Sequence, residues 1–509
     1  MVLKKLLFVT LLITLLAGAC VRPTSPMDVV FTVPEGALPS TQSMPQPLIT
    51  PTATPFIRHP GDSLETPTPD SIHVLPTPRT DAEEYVVQYG DSLGRIAQRY
   101  EVTLDILAQV NTISDIDLLE VGQVLTIPAP QPGVPGSSFK IIPDSELVYG
   151  PSSVGFDIFA HVKSADGYLA AYREDINGER MGGAAIVQRV AQEFSVNPRL
   201  LLAILEYRSG WLTQPSPPEK SLDFPMGVYE TWRKGLYAQL AWAANTLNRG
   251  YYLWRVNGVG TWVLADGAVV SIDPTINAGT AAVQGLFATL FDRYTWDVAV
   301  SQDGLFKVYF ERFGYPFDYS FDPLLPVPLK QPAMQLPFEP GLLWAYTGGP
   351  HGGWGSGSAW AGLDFAPPGE ALGCVQSDAW VVAVADGLIV RSDRGAVVQD
   401  LDGDGFEQTG WSVLYMHIET RHRVQQGTYL RAGERIGHPS CEGGISSGTH
   451  VHVARRYNGE WIPADQQTPF VLDGWVSRGT GTEYDGYLVR GGESLEAWEG
   501  YFPENQIQR

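Results

Sequence analysis

Two histidines separated by a single residue lie near the C-terminus, in the segment Gly-Thr-His-Val-His-Val that contains His450 and His452. The apolar, β-branched residues around them predict a strand, on which successive side chains point to opposite faces. Both imidazoles should therefore project from one face while Val451 projects from the other. Such a strand can present two nitrogen ligands to one centre, although an isolated His-x-His is more often a pair of half-exposed strand residues.

Length and charge bound the broad class of the chain. With 509 residues, it should form two to four domains, each large enough to bury its own core. The formal net charge of −22 argues against nucleic acid and anionic membrane surfaces as partners. Charge says little about the fold itself.

The first twenty residues have the pattern of an export signal. Lys4 and Lys5 form a positive start, an apolar run follows from Leu6 to Leu16, and small residues precede Cys20. The apolar run is too short for a comfortable membrane span. Cys20 resembles the cysteine of a bacterial lipobox, although Ala17 stands where a larger aliphatic residue is commoner. We expect an extracytoplasmic protein, either anchored to the membrane by a lipid on Cys20 or simply secreted.

Cysteine usage agrees with export. The chain has three cysteines, and lipidation of Cys20 would leave Cys374 and Cys441 as an even pair in an oxidising compartment. We therefore expect a disulfide between Cys374 and Cys441, which would tie together two segments of the C-terminal domain.

Residues 21–84 are rich in proline, threonine and serine, with 13 of the 39 prolines and little apolar periodicity. This composition predicts an extended, disordered stalk. A stalk behind a lipid anchor suits a protein that must reach away from a membrane.

A small ordered unit begins with an alternating strand at Glu84, a turn and helix cap before Leu93, and two short helical patterns. A second strand near Val124 closes it. The order β-α-α-β and the sequence YVVQYGDSLGRIAQRYEVTLDILAQVN…LEVGQVLTIP resemble a LysM module at 85–129. The resemblance implies binding of N-acetylglucosamine in peptidoglycan or chitin. The contact residues that it implies lie in two loops and are Asp91, Ser92, Leu93 and Asn111.

After a Pro/Gly linker at 129–136, residues 137–330 have mainly helical patterns. In the clearest of these, Asn197 precedes Pro198 as an N-cap precedes a first helical proline. Further helical patterns lie around 236–247 and 281–290. This region should be a helical domain with aromatic-lined surfaces.

One of these helices, in NPRLLLAILEYRSGWL, faintly resembles the catalytic helix of lysozyme-like transglycosylases. In that family an acidic residue immediately precedes the serine, where this chain has Arg208. A guanidinium stays charged and cannot donate a proton to a glycosidic oxygen, and Glu206 would face a different side of the helix. We interpret the domain as degenerate lysozyme-like. Glycan binding, spacing or plain structural support are the alternatives to glycosidase activity.

From about residue 337 the chain becomes Gly-rich and strand-like, with runs such as Trp380–Ala385 and Trp411–Ile418 separated by turns. This pattern predicts an antiparallel β-domain at 337–475, followed by an extension at 476–509. The expected fold class is multidomain α+β. It combines a small βααβ module, a mainly helical middle domain and an antiparallel all-β C-terminal domain.

Three segments of the β-domain carry ligand chemistry. The first, TGGPHGGWGSGSAWAGLDFAPP, contains His351 and Asp364. The second, LYMHIE, contains His417, and the third, SSGTHVHVA, contains His450 and His452. Imidazole nitrogens with one carboxylate, and a position left open for water, are typical of a catalytic zinc site. The three segments lack thiolates, which disfavours a cysteine-type structural site.

These segments resemble the lysostaphin and LytM group of peptidoglycan metallopeptidases. Most of that group carries His-x-x-x-Asp, and four residues before Asp364 this chain has Trp360. The LasA (staphylolysin) and β-lytic branch places its first histidine earlier, in a Gly-Gly-x-His segment followed by a Gly/Ser-rich loop. GGPHGGWGSGSAWAGLDF matches that version, over a resemblance that covers roughly 340–470.

This resemblance implies a set of roles. One Zn²⁺ would be bound by His351, Asp364 and His452, while His417 and His450 flank the bound water as catalytic residues. Tyr484, in EYDG, resembles a transition-state tyrosine of the LasA branch. The implied substrate is the peptide part of peptidoglycan, with Gly-rich cross-bridges as the preference of that branch.

A further segment alternates carboxylates ahead of glycines at Asp400, Asp402 and Asp404. It resembles the start of a calcium loop, but Trp411 at the twelfth position excludes a complete EF-hand. A polar hairpin turn is the favoured interpretation, with a weak Ca²⁺ site as the alternative.

Two functions from different classes therefore compete. The first is an exported zinc metalloendopeptidase that is held on peptidoglycan glycan by its LysM module and cleaves peptide cross-links. The second is a catalytically silent wall-binding protein that activates other cell-wall hydrolases, a hypothesis that would gain force if His351 lay far from Asp364. A muramidase would need an acid supplied near Arg208 from elsewhere in the chain.

Overall fold

The computed structural model describes residues 67–88, 91–116, 118–321, 323–369 and 373–509. The predicted export signal, the lipidation site Cys20 and residues 21–66 of the predicted stalk lie outside these ranges.

The LysM-like unit has the predicted β-α-α-β order. Its elements are β1 (Glu83–Val86), α1 (Leu93–Arg99), α2 (Leu104–Val110) and β2 (Val124–Ile127), and the two strands pair antiparallel. The Ser92 side chain accepts a hydrogen bond from the backbone N–H of Arg95, and that of Thr103 accepts one from Ile106. Both helices therefore begin at side-chain N-caps, which explains why the sequence shows their starts clearly.

Residues 67–82, here named the strap, lie against the middle domain. Asp70 forms an ion pair with Lys140 at 2.6 Å, and the His73 ring stacks on Trp254 with centroids 4.2 Å apart. The predicted disorder of the stalk is therefore wrong for this part. Its prolines prevent regular secondary structure but leave polar groups and rings free to pack.

The LysM module is also fixed to its neighbours. The carboxylate of Glu101 accepts hydrogen bonds from Thr261 Oγ1 at 2.5 Å and from the backbone N–H of Gly260 at 3.2 Å. Arg79 of the strap donates to the carbonyl oxygen of Pro128 at 3.1 Å. The module thus contacts the middle domain through specific hydrogen bonds.

The middle domain is mainly helical, as predicted. Its helices are α3 (Ile158–Ala165), α4 (Tyr168–Ala171), α5 (Gly183–Phe194), α6 (Pro198–Ser209), α7 (Glu219–Asp223), α8 (Leu236–Arg255), α9 (Ala278–Ala288), α10 (Arg293–Ala299) and α11 (Leu305–Phe313). None of the helices in the described ranges combines the length and apolar character that a membrane crossing requires.

Short strands complete the middle domain. They are β3 (Val134–Pro135), β4 (Arg173–Ile176), β5 (Glu179–Gly182), β6 (Thr261–Val263) and β7 (Val269–Ser271). β3 pairs in parallel with β7, so the predicted Pro/Gly linker at 129–136 ends in a paired strand.

Helix α6 is the segment with a faint lysozyme resemblance, and its two charged candidates have structural roles. The Glu206 carboxylate accepts from the backbone N–H groups of Leu212 at 2.9 Å and Thr213 at 3.2 Å, so it caps the next turn. Arg208 Nε donates to the carbonyl oxygen of Met226 at 3.0 Å. Neither side chain is placed as a free catalytic acid.

The C-terminal domain is an antiparallel β-structure, as predicted. Its strands are β8 (Leu343–His351), β9 (Gly362–Ala366), β10 (Val381–Val382), β11 (Gly387–Asp393), β12 (Ala396–Asp400), β13 (Trp411–Met416), β14 (Tyr429–Leu430), β15 (Arg435–Gly437), β16 (Val451–Tyr457), β17 (Glu460–Trp461), β18 (Val471–Leu472), β19 (Trp475–Gly479), β20 (Gly486–Arg490), β21 (Glu493–Glu496) and β22 (Gln506–Gln508). The main sheet has nine strands in the order β14-β11-β12-β13-β16-β9-β8-β22, with β17 beside β16.

The predicted extension at 476–509 is built into this domain. β18 to β21 form a four-stranded sheet, and β22 pairs with β8 at the edge of the main sheet. Ile507 and Leu488 are both buried in the domain core. Pairing at β22 satisfies the backbone groups of β8 that an open sheet edge would leave exposed.

The two faces of the main sheet pack against different partners. Val397, Val413 and Val453 point into the core of the β-domain. Their neighbours in sequence, such as Leu414 and Ala454, belong to a second cluster that is continuous with the middle domain. His452 lies two residues before Ala454 on the same strand, so the predicted metal site lies on the face that is turned toward the middle domain.

Candidate metal centre

Three adjacent strands bring the predicted ligands together. His351 ends β8, Asp364 lies on β9, and His452 on β16 is the direct cross-strand partner of Asp364. His351 Nε2 lies 2.9 Å from His452 Nδ1 and 3.3 Å from Asp364 Oδ1, and the last two atoms are 3.1 Å apart. All three side chains are buried, so three donor atoms converge on one protected point.

Two glycines make room for this convergence. A Cβ at Gly362 would lie 2.2 Å from Cε1 of the His452 ring, and a Cβ at Gly348 would lie 2.6 Å from the Asp364 carboxylate. Neither distance is possible for real atoms. The Gly-Gly-x-His pattern and the glycine before Leu-Asp-Phe are therefore packing requirements of the ligands themselves.

Each ligand histidine is oriented by its other ring nitrogen. His351 Nδ1 donates to the carbonyl oxygen of Gly349 at 2.7 Å, and His452 Nε2 donates to that of Gly353 at 3.1 Å. This leaves Nε2 of His351 and Nδ1 of His452 as the lone pairs that face Asp364. Backbone carbonyls often fix metal-binding imidazoles in this way, and the donor set of two nitrogens and one carboxylate fits zinc with a fourth position for water.

The electrostatics of the three groups are coupled. Burial alone would raise the pKa of Asp364, but the imidazoles of His351 and His450 hold it well below its usual range. Burial opposes protonation of His351, yet the Asp364 carboxylate raises its pKa overall. Burial dominates at His452 and lowers its pKa. A carboxylate that stays ionised is the state in which a cation can be bound.

His417 and His450 stand beside the ligand set. Their rings lie 4.4 Å apart, and His450 Nε2 lies 3.7 Å from Asp364 Oδ1. His417 Nδ1 donates to the carbonyl oxygen of Glu442 at 2.9 Å, and His450 Nδ1 donates to that of Gly448 at 2.8 Å. Burial, followed by the charge of His450, lowers the pKa of His417 to about 3, so its imidazole is neutral at ordinary pH.

The loops behind these histidines are tied together covalently. Cys374 and Cys441 form a disulfide, next to Ser440, which donates through its backbone N–H to the carbonyl oxygen of His417 at 2.7 Å. His417 has φ of +62°, a left-handed conformation that a non-glycine residue adopts at some cost. Ser440 holds that conformation, and the disulfide holds Ser440 in place.

Tyr484 reaches the same centre from the C-terminal strands. Its ring stacks on His351 with centroids 4.2 Å apart and an interplanar angle of 18°. Its backbone carbonyl accepts a hydrogen bond from Gly349 at 2.8 Å. Burial and then the Asp364 charge raise the pKa of Tyr484 to about 12, so its hydroxyl keeps its proton.

The loop after His351 is supported by a contact that no sequence pattern indicated. The backbone N–H of Gly357 donates to Asn245 Oδ1 on α8 at 2.8 Å, and Asn245 Nδ2 donates to Ser356 Oγ at 3.3 Å. Trp354 packs edge-on against Phe194 of α5. The middle domain therefore shapes the β8–β9 loop of the metal centre.

The four residues predicted to contact sugar have internal roles in the LysM module. Asp91 accepts from Tyr85 Oη at 2.7 Å, and Asn111 Nδ2 donates to the carbonyl oxygen of Thr126 at 2.8 Å. Ser92 caps α1, and the Leu93 side chain is buried. The Leu93 side chain therefore packs into the core of the module, and the sugar contacts at these four residues stay a prediction.

The three predicted calcium ligands form a turn. Asp400 accepts from the backbone N–H groups of Asp402 at 3.1 Å and Gly405 at 2.8 Å, while Asp404 accepts from Phe406 at 2.9 Å. Carboxylate oxygens of Asp400, Asp402 and Asp404 lie close enough together to hold an ion. These bonds are those of a polar hairpin turn.

Three family models match the chain. The LysM domain matches residues 85–128, the N-terminal domain of LasA matches 140–326, and peptidase family M23 matches 359–464. The second match replaces the faint lysozyme resemblance of the middle domain. The third begins after His351, as expected for a domain whose first ligand comes early.

Several known proteins are similar to parts of this chain. Protease LasA of Pseudomonas aeruginosa is 26% identical over 343 residues, which cover 63% of this chain and 74% of the relative. Beta-lytic metalloendopeptidase of Lysobacter enzymogenes is 27% identical over 168 residues, covering 32% of this chain and 90% of the relative. Among solved structures, the M23 metalloprotease pseudoalterin from the deep sea covers 35% of this chain and 99% of its own, with 25% identity and a TM-score of 0.29.

The family matches and the site geometry lead to one assignment. The peptidase match spans β9 to β17, which include Asp364 and His452, while His351 comes from the Gly-Gly-x-His segment that precedes it. The chain thus joins a LysM domain to a C-terminal metallopeptidase domain of family M23, of the LasA-like kind.

Proposed function

We propose that this protein is an extracytoplasmic zinc endopeptidase that cleaves peptide cross-links of peptidoglycan and is held on the glycan by its LysM domain. The observation that carries the proposal is the convergence of His351, Asp364 and His452 within 3.3 Å of one another, beside two further histidines. The M23 and LysM matches support the same combination of substrate and anchor.

The residues around the ligands suit hydrolysis of a peptide bond. A zinc ion bound there would supply a Lewis acid and a bound water of lowered pKa. His450 and His417 both donate through Nδ1 to backbone carbonyls, so each keeps Nε2 for accepting or returning a proton. We assign to Tyr484, whose ring stacks on His351, the role of donating a hydrogen bond to a developing oxyanion.

An extracytoplasmic location is supported by the disulfide between Cys374 and Cys441. Such bonds persist in oxidising compartments and are rare in the cytosol. Peptidoglycan is a substrate in the same compartment. We therefore place the active protein at the cell wall.

The test is digestion of purified peptidoglycan by the full chain after zinc reconstitution. We expect new amino groups without new reducing sugar ends, because a peptidase and not a glycosidase is at work. His417→Gln and His450→Gln should keep zinc but lose about 10²–10⁴-fold in rate. Asp364→Ala should lose the zinc of this centre and, with it, activity, while His161→Gln, in the middle domain, should change neither.

A stoichiometric zinc content without any release of amino groups would overturn the endopeptidase. It would support the catalytically silent activator instead. Release of reducing ends that survives Asp364→Ala would place a glycosidase elsewhere in the chain.

A further inference from the structure

A second pair of histidines lies outside the centre described above. His422 Nδ1 and His438 Nε2 are 3.3 Å apart. His422 follows Ile418 and His438 directly precedes Pro439, and Ile418 and Pro439 form a short antiparallel bridge. His438 is 2% exposed, whereas His422 is on the surface. Neither residue belongs to the ligand set of the first centre.

The pair is oriented as metal ligands are. His438 Nδ1 donates to the carbonyl oxygen of Ala379 at 2.9 Å, which leaves Nε2 as a lone pair aimed at His422. Two imidazole nitrogens on one tetrahedral zinc, each bound at about 2.0–2.1 Å, are separated by about 3.3 Å. The observed spacing fits two ligands of a single ion.

The segment 378–380 surrounds the pair with a carboxylate and an aromatic wall. The ring centroids of Trp380 and His438 are 3.9 Å apart. The guanidinium of Arg435 lies over the Trp380 ring, 4.4 Å from its centroid. The Asp378 carboxylate is strongly exposed and bound to Arg421, and it directly precedes Ala379, whose carbonyl oxygen accepts from His438. It can therefore turn toward an ion at little cost, because only a surface ion pair is exchanged.

We propose that His422 and His438 form a second binding site for a divalent transition metal such as zinc or copper. Asp378 and water complete its coordination. Imidazole with carboxylate and water is a donor set that zinc and copper both accept, and one that calcium and magnesium disfavour. Because His422 lies five residues after His417, an ion here would also fix the turn that follows a catalytic histidine.

The decisive experiment is zinc titration of the full-length Asp364→Ala variant by calorimetry, with calcium present to mask the acidic hairpin. This variant lacks the carboxylate ligand of the first centre, so we expect one remaining zinc with micromolar affinity. Adding His422→Ala should weaken that binding at least tenfold, whereas Gln425→Ala on the same exposed turn should not.

A spectroscopic measurement locates the ion independently. Copper should quench tryptophan fluorescence in Asp364→Ala, and Trp380→Phe should remove that quenching while leaving the calorimetric stoichiometry unchanged. Equal zinc binding with and without His422→Ala, or no binding by Asp364→Ala at all, would overturn the second site and leave a hydrogen-bonded histidine pair. Neither result bears on the endopeptidase activity, which is measured with the first centre intact.

Discussion

Single residues at the metal centre are constrained by close approach as much as by ligand chemistry. Gly362 is such a residue, because the His452 ring occupies the space in which a side chain would stand. The sequence shows a glycine at position 362 but does not show why a side chain is excluded there. The excluding ring belongs to His452, on a strand 90 residues later. A pattern of glycines near ligands is thus readable as a motif, while its cause appears only in the folded sheet.

Gly362→Ala should therefore displace His452 and weaken zinc binding by about 10–100-fold, as loss of a supporting contact around a metal ligand does. Zinc affinity measured by competition with a chelating dye tests this. Gly369→Ala is the matched control, since a Cβ there meets nothing within 4 Å. Equal affinities in the two variants would contradict the packing argument.

Glu407 is a second residue whose contribution to stability depends on its buried surroundings. Burial would raise its pKa, but the guanidiniums of Arg391 and Arg456, at 3.1 and 2.6 Å, lower it below the ordinary value of 4.5. Glu407→Gln would leave two buried cations without their carboxylate. We expect a loss of about 3–5 kcal/mol in the free energy of unfolding at pH 7.

The same carboxylate predicts a pH dependence. As pH falls below about 4.5, the unfolded state takes up the proton before the folded state does, so the stabilisation from Glu407 is lost toward the lower, folded pKa. Urea unfolding at pH 7 and pH 4 should show a smaller acid-induced loss for Glu407→Gln than for the parent chain. A parallel loss in both proteins would show that Glu407 does not titrate with a lowered pKa.

Elements differ in how far their sequence determines them. The helices of the LysM module are predictable because Ser92 and Thr103 cap them locally. Strand β22 could not be predicted as part of the main sheet, because its partner β8 lies more than 150 residues earlier and its pattern is too short to indicate a face. The ligands on β8, β9 and β16 were recognisable from motifs, but only pairing of the strands places them together.

The β8–β9 loop is an element supported from outside its own domain. Asn245→Ala would remove both of its side-chain bonds to Gly357 and Ser356, each of which contributes about 1 kcal/mol. We expect a more mobile loop, seen as faster backbone hydrogen exchange at 352–358. Thr246→Ala on the same helix, whose hydroxyl donates to the carbonyl oxygen of Trp242, should leave exchange in the loop unchanged.

At the scale of the whole molecule, the middle domain and the β-domain share buried surface. Tyr252 Oη accepts from the backbone N–H of Trp461, and Arg255 pairs with the buried carboxylate of Glu460 at 3.0 Å. Sequence patterns could indicate two domains but not this interface, since the nearly continuous apolar run of β13 indicates that both sheet faces are covered without showing what covers them.

A fragment of residues 337–509 should therefore be less stable than the full chain. Removal of the middle domain exposes an apolar sheet face and leaves Glu460 without Arg255. We expect a lower Tm and binding of a hydrophobic dye by the fragment, both measured beside the full chain. A fragment with an unchanged Tm would show that the shared surface contributes little.

The strap and the Glu101 contacts have a consequence for how the protein would sample a polymer. A flexible tether lets a catalytic group search every bond within its reach, at an effective concentration set by chain length. Here the LysM domain and the strap are joined to the middle domain by specific contacts, so under the proposed function the offset of the bound sugar from the scissile bond would be a fixed length. An anchored molecule would then act as a ruler, cutting only cross-links that lie at one spacing from the sugar it holds.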